Sequence, residues 1–480
     1  MEFTILSHAA MLVNSRRTTL ITDPWLVGST YWRSWWNYPK ACDAWREVEH
    51  LDYIAITHMH WDHFHGPSLR QLPRSATVLI PDVYFTRMKD DIADFGFKAV
   101  IELPHAKTVK LAPGLDVTSY QYGLALDTTL VITDGTTTLM DMNDCKVTGW
   151  PLRQILHRHP TIDFVFRSHS SAAPYPFCVH AEDPDELKYR HSDDFLKEFV
   201  DTARLTRARY AVPFASNHCF LHKETWRFNS TVVSPLDVKR YFDTHKPQGS
   251  ECMVMVPGDS WSDRSGFQVQ AQDFFTHREK HLTQYAADVA PILEKTYRRE
   301  AGVRLTFAAF ETHFRDLMRS LPRLARVIFK PVVAFKLSNR PSTYWVLDFD
   351  RRTIYETPDL PENLSFRIEV PEAVLKDCIQ KRMFATWTPS KRLAVYLKKG
   401  KLRDLFVFLQ FIDMHEYGYF PLRGMLRWRF VSRWAPRYRE LGQYIALLWT
   451  VVRTRNTARP LKAFVAKIAA DERRSVTDRS

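Results

Sequence analysis

Cysteine is sparse in this sequence, and the six present, at positions 42, 145, 178, 219, 252 and 378, include no Cys-x-x-Cys pair. That spacing gives no zinc ribbon and no disulfide framework, so a reduced, cytoplasmic protein is expected. No apolar run reaches the roughly 18–20 residues needed to cross a bilayer. No basic-then-apolar leader is expected, because Met1-Glu2-Phe3-Thr4 already reads as the start of a strand. Internal repeats and low-complexity tracts are absent too, which sets aside solenoids and disordered arrays.

What is present is a long chain of 480 residues, 45% of them hydrophobic, enough for two or three domains with a large core. Its net charge of +13 is uneven, since residues 423–480 hold 14 Lys and Arg against 4 Asp and Glu, a difference of +10. The remainder is close to neutral, and no nucleic-acid partner is expected. Within the tail, Arg427, Arg429, Arg433, Arg437 and Arg439 alternate with Trp428, Phe430, Trp434 and Tyr438. Such a segment either packs on its own domain or makes peripheral contact with an anionic membrane.

The densest chemistry lies at residues 57–66, Thr-His-Met-His-Trp-Asp-His-Phe-His-Gly, directly after the apolar run Tyr53-Ile54-Ala55-Ile56. His58 and His60 are two apart, so on an extended segment both imidazoles point the same way and grip one ion. Asp62 and His63 follow where Gly66-Pro67-Ser68 predicts a turn into a helix, and they offer one oxygen and one nitrogen to a second ion.

Around this loop, strand and helix signals alternate, which argues for a layered α/β domain. Strands are read at Phe3 to Val13, Thr18 to Ile21, Thr77 to Ile80, Leu115 to Tyr122 and Thr128 to Asp134. Three more end near a metal-ligating residue: 137–141 before Asp144, 162–166 before His169, and 210–214 before His218. Between Trp25 and Trp36 four tryptophans and Tyr31 form either a flap or an aromatic mini-core. Beyond residue 260 a helical stretch over 267–335 leads to strands over 344–356 and 365–370 and a helix over 371–382, read as a smaller α+β domain. The expected division is therefore 1–260, 261–422 and a tail at 423–480.

The motif His58-x-His60-x-Asp62-His63 resembles that of the metallo-β-lactamase superfamily. Ser7-His8-Ala9-Ala10, Ile21-Thr22-Asp23-Pro24-Trp25 and an Asp144 at the bridging-carboxylate position add to the likeness. The resemblance implies an αββα sandwich over residues 1–260 with the site at one edge, between the sheets. It implies two divalent metal ions, zinc first, with iron or manganese as alternatives. Their ligands would be His58, His60, Asp62, His63, Asp144, His169 and His218, and Asp62 would also be the catalytic group that orients or deprotonates water. The family's third histidine has no counterpart in Tyr120 to Asp127, so either His169 replaces it or the first ion binds weakly or not at all. For the last ligand His218 is preferred, with His222 the alternative. His8 and His65 are expected to orient ligands or touch substrate.

A looser likeness is to the C-terminal part of CMP-N-acetylneuraminate hydroxylases. It rests on Trp35-Trp36, Asn143-Asp144-Cys145, Pro213-Phe214-Ala215, Val256-Pro257-Gly258 and Ser390-Lys391-Arg392-Leu393. Those enzymes also carry a Rieske domain, built on Cys-x-His and Cys-x-x-His pairs. No such pairs, and no self-contained oxygenase chemistry, are expected here. The leading expectation is a metal-dependent hydrolase acting on a small-molecule ester, amide, lactone or phosphoester, with the tryptophan-rich stretch stacking on a sugar or acyl chain. The alternatives are an iron-dependent hydroxylase of an amino-sugar or nucleotide-sugar derivative, served by a separate reductase, and a non-catalytic binding module.

Overall fold

Alternation along the strands decides the layering. In Thr18–Thr22, Leu20 turns into one cluster of buried side chains and Ile21 into another, as a period of two requires. The computed structural model describes residues 1–454 apart from 113, 246, 271, 272 and 341. Eight strands form one sheet, in the order Gly266–Gln268, Ser260–Ser262, Glu2–Ile5, Met11–Ser15, Thr18–Thr22, Tyr53–Ala55, Thr77–Pro81, Val100–Leu103. Seven form a second, in the order Glu251–Cys252, Tyr210–Pro213, Phe164–Arg167, Thr138–Asn143, Asp127–Thr133, Leu115–Tyr122, Thr108–Ala112.

Phe3, Val13, Leu20 and Leu79 from the first sheet share one buried cluster with Val117, Leu130, Leu139 and Phe164 from the second. Each such side chain contributes about 1.5–3 kcal/mol by leaving water. Helices Gly66–Leu69 and Arg87–Asp94 cover the outer face of the first sheet through Leu69, Met88 and Ile92. Helices Gly149–Arg158, Ser192–Thr206 and Pro235–His245 cover the second through Leu152, Phe199 and Val238. The expected αββα sandwich is thus the observed one.

The structure departs from the expected elements in ways that matter for the site. The strand read over Phe3 to Val13 breaks into Glu2–Ile5 and Met11–Ser15. Leu6 and Ser7 both donate to the Ala10 carbonyl, at 2.8 and 3.3 Å, and the resulting turn carries His8 at the sheet edge. At the other end, Ser260–Ser262 and Gly266–Gln268 extend the first sheet beyond residue 260. The stretch Tyr344 to Glu356 is a hairpin, Tyr344–Asp348 with Thr353–Thr357, whose turn holds Arg352 at φ +58°.

The accessory sheet has six strands, in the order Val179–Ala181, Ala394–Leu397, Phe366–Val370, Val332–Leu337, Tyr344–Asp348, Thr353–Thr357. Its first strand comes from within residues 1–260. Its core includes Phe310, Phe335, Trp387 and Phe408 and runs without interruption to Trp25, Tyr31, Trp35 and Phe220 of the sandwich. The two parts are joined by a shared core.

In the accessory helix Leu402–Glu416, burial and the neighbouring Glu416 carboxylate push the Asp413 carboxyl up to about 8. The unfolded chain ionises this group at about 3.9. It therefore releases the proton first, and stability is lost as pH rises from about 4 to about 8. Asp413→Asn is expected to raise the urea midpoint at pH 8 and leave it unchanged at pH 4. Equal changes at both pH values would show that ionisation is not the cause.

Candidate metal centre

The loop at 57–66 is fixed from below by Asp23. Asp23 stands at φ +35° after the strand Thr18–Thr22, and its N–H donates to the Ala55 carbonyl at 2.8 Å. Its carboxylate accepts from Thr57 N at 2.8 Å, from Thr57 Oγ1 at 2.6 Å and from His63 Nδ1 at 2.7 Å. With Nδ1 committed to Asp23, His63 turns Nε2 toward Asp62 Oδ2 at 3.5 Å and Asp144 Oδ2 at 3.6 Å. A carboxylate behind a histidine in this way selects the tautomer that leaves Nε2 available to an ion.

Three overlapping groups of potential ligands result, each with its ligand atoms within 4.8 Å of one another: His8, Asp62 and His63; His58, His63 and Asp144; His58, His60 and Asp127. His8 Nε2 is 3.1 Å from Asp62 Oδ2, and the Tyr31 hydroxyl donates to Asp62 Oδ1. His58 Nε2 and His60 Nδ1 face each other at 2.9 Å. His8, Asp62 and His63 are buried, whereas His60, Asp127 and Asp144 are partly exposed, Asp127 Oδ1 itself being buried, so the site opens on the His60 side.

Of the sequence-expected ligands, His58, His60, Asp62, His63 and Asp144 come together in these groups. His218 lies beside them. Its ring stacks on Trp35, with centroids 3.6 Å apart and planes 4° from parallel, and sits 5.7 Å from His8. His222 turns instead to Tyr297, at 4.9 Å. His169 is buried, with its backbone N–H donating to Ser216 Oγ at 3.0 Å, and belongs to none of the three groups. In the place considered for His169, next to His58 and His60, stands Asp127.

Charge balance points to a cation. Burial alone opposes ionisation of Asp62, but His63 and His8 outweigh it and hold the carboxyl well below the usual range. Likewise burial opposes charge on His63, yet Asp62, Asp23 and Asp144 raise its pKa well above the ordinary imidazole value. Burial, then His63 and His60, push His58 far down. Burial lifts Asp127 to about 6. Several aspartates thus share a few imidazoles as their counter-charges.

The unpaired atoms give the same answer. His8 Nδ1, both ring nitrogens of His218 and Asp127 Oδ1 are buried without a hydrogen-bond partner, and His63 Nε2 has only the Asp62 and Asp144 oxygens at 3.5 and 3.6 Å. Each orphan of this kind costs about 1–3 kcal/mol. Nitrogen and carboxylate donors converging at such a cost fit one or two divalent ions.

Residues 2–161 match the β-lactamase superfamily domain. Over that third of its length the chain is similar to the metallo-β-lactamase superfamily. Over 413 residues, 78% of each chain, it is 27% identical to a Mycobacterium tuberculosis protein named as a Rieske 2Fe-2S iron-sulfur protein. Over 72 residues, 15% of this chain and 13% of the other, it is 38% identical to the cytidine monophosphate-N-acetylneuraminic acid hydroxylase of Cricetulus griseus. Among solved structures, an isothiocyanate hydrolase from Delia radicum gut bacteria aligns with 55% of this chain and 99% of its own, at 14% identity and a TM-score of 0.41. The metallo-β-lactamase fold is one of metal-dependent hydrolases and related enzymes, and the donor set here suits that chemistry.

The expectation that Cys-x-His and Cys-x-x-His pairs are absent needs correcting. Cys178-Val179-His180 and Cys219-Phe220-Leu221-His222 have those spacings. The fold keeps them apart: Cys178 and Phe220 lie in the accessory core, while Cys219, on the opposite face of its strand, lies in another cluster. His180 stacks on Tyr396 at 4.9 Å. Among the described residues, no group able to hold a metal includes a cysteine.

Sequence reasoning passed over Asp127, Tyr31 and the buttressing role of Asp23, and it expected His8 to orient ligands or touch substrate rather than join a ligand group. Asp127 could have been noticed as a carboxylate opening the strand after the stretch where a histidine was sought. The tryptophan-rich stretch is a mini-core. Trp25, Tyr31, Trp32 and Trp35 are buried, and only Trp61, stacked with Tyr31 at 6.1 Å, remains half-exposed for a substrate.

Asp23→Asn keeps the shape but withdraws the charge behind His63. It is expected to weaken metal binding by about 10–100-fold, as losing an outer partner of a ligating histidine typically does. Competition with a chromophoric chelator would measure this, and unchanged affinity would remove Asp23 from the site's support.

Proposed function

We propose that the chain is a two-metal hydrolase acting on an ester, amide, lactone or phosphoester. The observation that carries this reading is the pair of outer groups, His58-His60-Asp127 and His8-Asp62-His63, linked by a third, His58-His63-Asp144, that shares one histidine with each. Divalent ions, zinc first, would supply Lewis acidity there, lowering the pKa of a bound water and stabilising negative charge on substrate oxygen.

The protein's own part follows from its contacts. Tyr31 and His8 hold both oxygens of Asp62 in place, so this carboxylate meets a water in a fixed orientation and is ionised at neutral pH. Buried Trp25 and Trp35 exclude solvent from the His8 side. Substrate then approaches past His60, Asp127 and Trp61, and hydrolysis needs no co-substrate besides water.

A second reading is favoured by one feature: each of the three groups comprises two imidazoles and one carboxylate, the donor set of non-haem iron oxygenases. With iron and an external reductant, the chain would hydroxylate an amino-sugar or nucleotide-sugar derivative, as the names of its relatives suggest.

The two readings separate with a panel of nitrophenyl esters, bis-nitrophenyl phosphate and lactones. Zinc-loaded protein is expected to hydrolyse at least one, and Asp62→Asn to lower that rate by about 100-fold. No hydrolysis of any, together with reductant-dependent oxygen uptake by iron-loaded protein, would replace the first reading with the second.

A further inference from the structure

The C-terminal helix Tyr438–Thr454 turns apolar side chains outward at its described positions. Tyr438, Leu441, Ile445 and Trp449 are spaced three or four apart on one face, and all four are exposed, Ile445 and Trp449 at 69% each. Among the described side chains of this helix the buried ones, Glu440 and Gln443, are polar. Glu440 accepts from the buried Arg437 guanidinium at 2.8 Å, from the Gly123 N–H at 2.8 Å and from the Tyr444 hydroxyl at 2.6 Å. A surface helix ordinarily places these faces the other way round.

The preceding segment continues the pattern. Leu426 is 82% and Trp428 80% exposed, and Leu422 and Val431 are exposed as well. Arg423, Arg427 and Arg439 stand exposed among them. Single exposed apolar residues are ordinary, but a sustained run of them marks an interaction surface.

We propose that this face, residues 422–449, docks on an anionic lipid surface. Charge selects the occupant: six Arg against one Glu over residues 422–449 would repel a second copy of the same face and attract acidic headgroups. Tryptophan and tyrosine beside arginine suit the boundary between headgroups and acyl chains. No helix among the described residues is long and apolar enough to cross a membrane, so the contact is peripheral.

The same segment is tied to the sandwich. Arg437 donates to the Gly123 carbonyl at 2.8 Å and the Tyr419 hydroxyl to that of Leu124 at 2.9 Å, holding the turn that leads to Asp127. Removing residues 423–480 would therefore disturb the candidate site, and surface substitutions make the cleaner test.

Full-length protein is to be sedimented with sucrose-loaded vesicles of phosphatidylcholine, with and without an equal part of phosphatidylglycerol. Binding is expected with the anionic vesicles only and should weaken with added salt. Trp428→Ser/Trp449→Ser protein with an unchanged circular dichroism spectrum and melting temperature should bind at least about tenfold more weakly, given what burying one large apolar side chain contributes. Arg427→Gln/Arg439→Gln protein should lose both affinity and salt dependence. Failure of the wild type to sediment, equal binding by the tryptophan variant, or a stable dimer that this variant dissociates would each overturn the proposal.

Discussion

Asp127→Asn protein is expected to hold a metal ion at the His58–His60 position at least about 100-fold more weakly than wild type, with turnover falling in step. The metal-free variant should nonetheless be as stable as wild type, or more so. Both effects have one origin. Burial raises the Asp127 carboxyl to about 6, and its Oδ1 has no hydrogen-bond partner. A carboxyl raised in the folded state costs stability as pH climbs from about 4, where the unfolded chain ionises, through about 6. Without a cation, then, the charge is a burden at neutral pH, and asparagine relieves it. With a cation bound beside His58 and His60, the same charge becomes a ligand. Chelator competition and urea unfolding, run on the same samples, would show losses in both if Asp127 were only structural.

Arg392→Ala is expected to destabilise the protein by about 3–5 kcal/mol, the usual consequence of leaving a buried charge without its partner. The Arg392 side chain is 1% exposed. Its guanidinium forks onto Glu300 at 2.7 and 2.9 Å, reaches Glu224 at 2.8 Å and meets the Trp32 carbonyl at 3.3 Å. These contacts join a strand-edge segment of the accessory domain, the long helix Arg278–Ala301 and two stretches of the sandwich. Arg392→Lys keeps the charge but not the planar fork, and should recover only part of the loss. The midpoint of urea unfolding measures both, and an alanine variant within about 0.5 kcal/mol of wild type, the range of ordinary surface changes, would show that the junction does not depend on this residue.

What could be read in advance divides along physical lines. The loop at 57–66 was legible because four of its ligands are local, with a spacing set by one strand end and one turn. A layered α/β domain was legible because strand and helix signals alternate along the chain, and the sandwich followed from the likeness that the loop motif carries. Asp127 was not, because whether a carboxylate at the start of a distant strand meets His58 depends on how the two sheets stack. Spacing also misled in the other direction. Cys178, His180, Cys219 and His222 satisfy a linear pattern, yet Cys178 and Cys219 lie in separate cores and His180 is exposed. Ser390-Lys391-Arg392 carried a likeness whose reason appears only in three dimensions, as the joint between two domains. The tail was legible as basic and aromatic. That its apolar face points outward follows from the buried Arg437–Glu440 pair, which composition does not reveal. Its residues 455–480 lie outside the described part of the chain.

Metal content tests the two-ion centre most directly. Full-length protein, stripped with a chelator, reloaded with zinc and passed through a desalting column, should retain about two ions per chain by elemental analysis, and Asp127→Asn about one. Retention of one ion or none by the wild type, or of two by the variant, would contradict a centre in which Asp127 completes the site begun by His58 and His60.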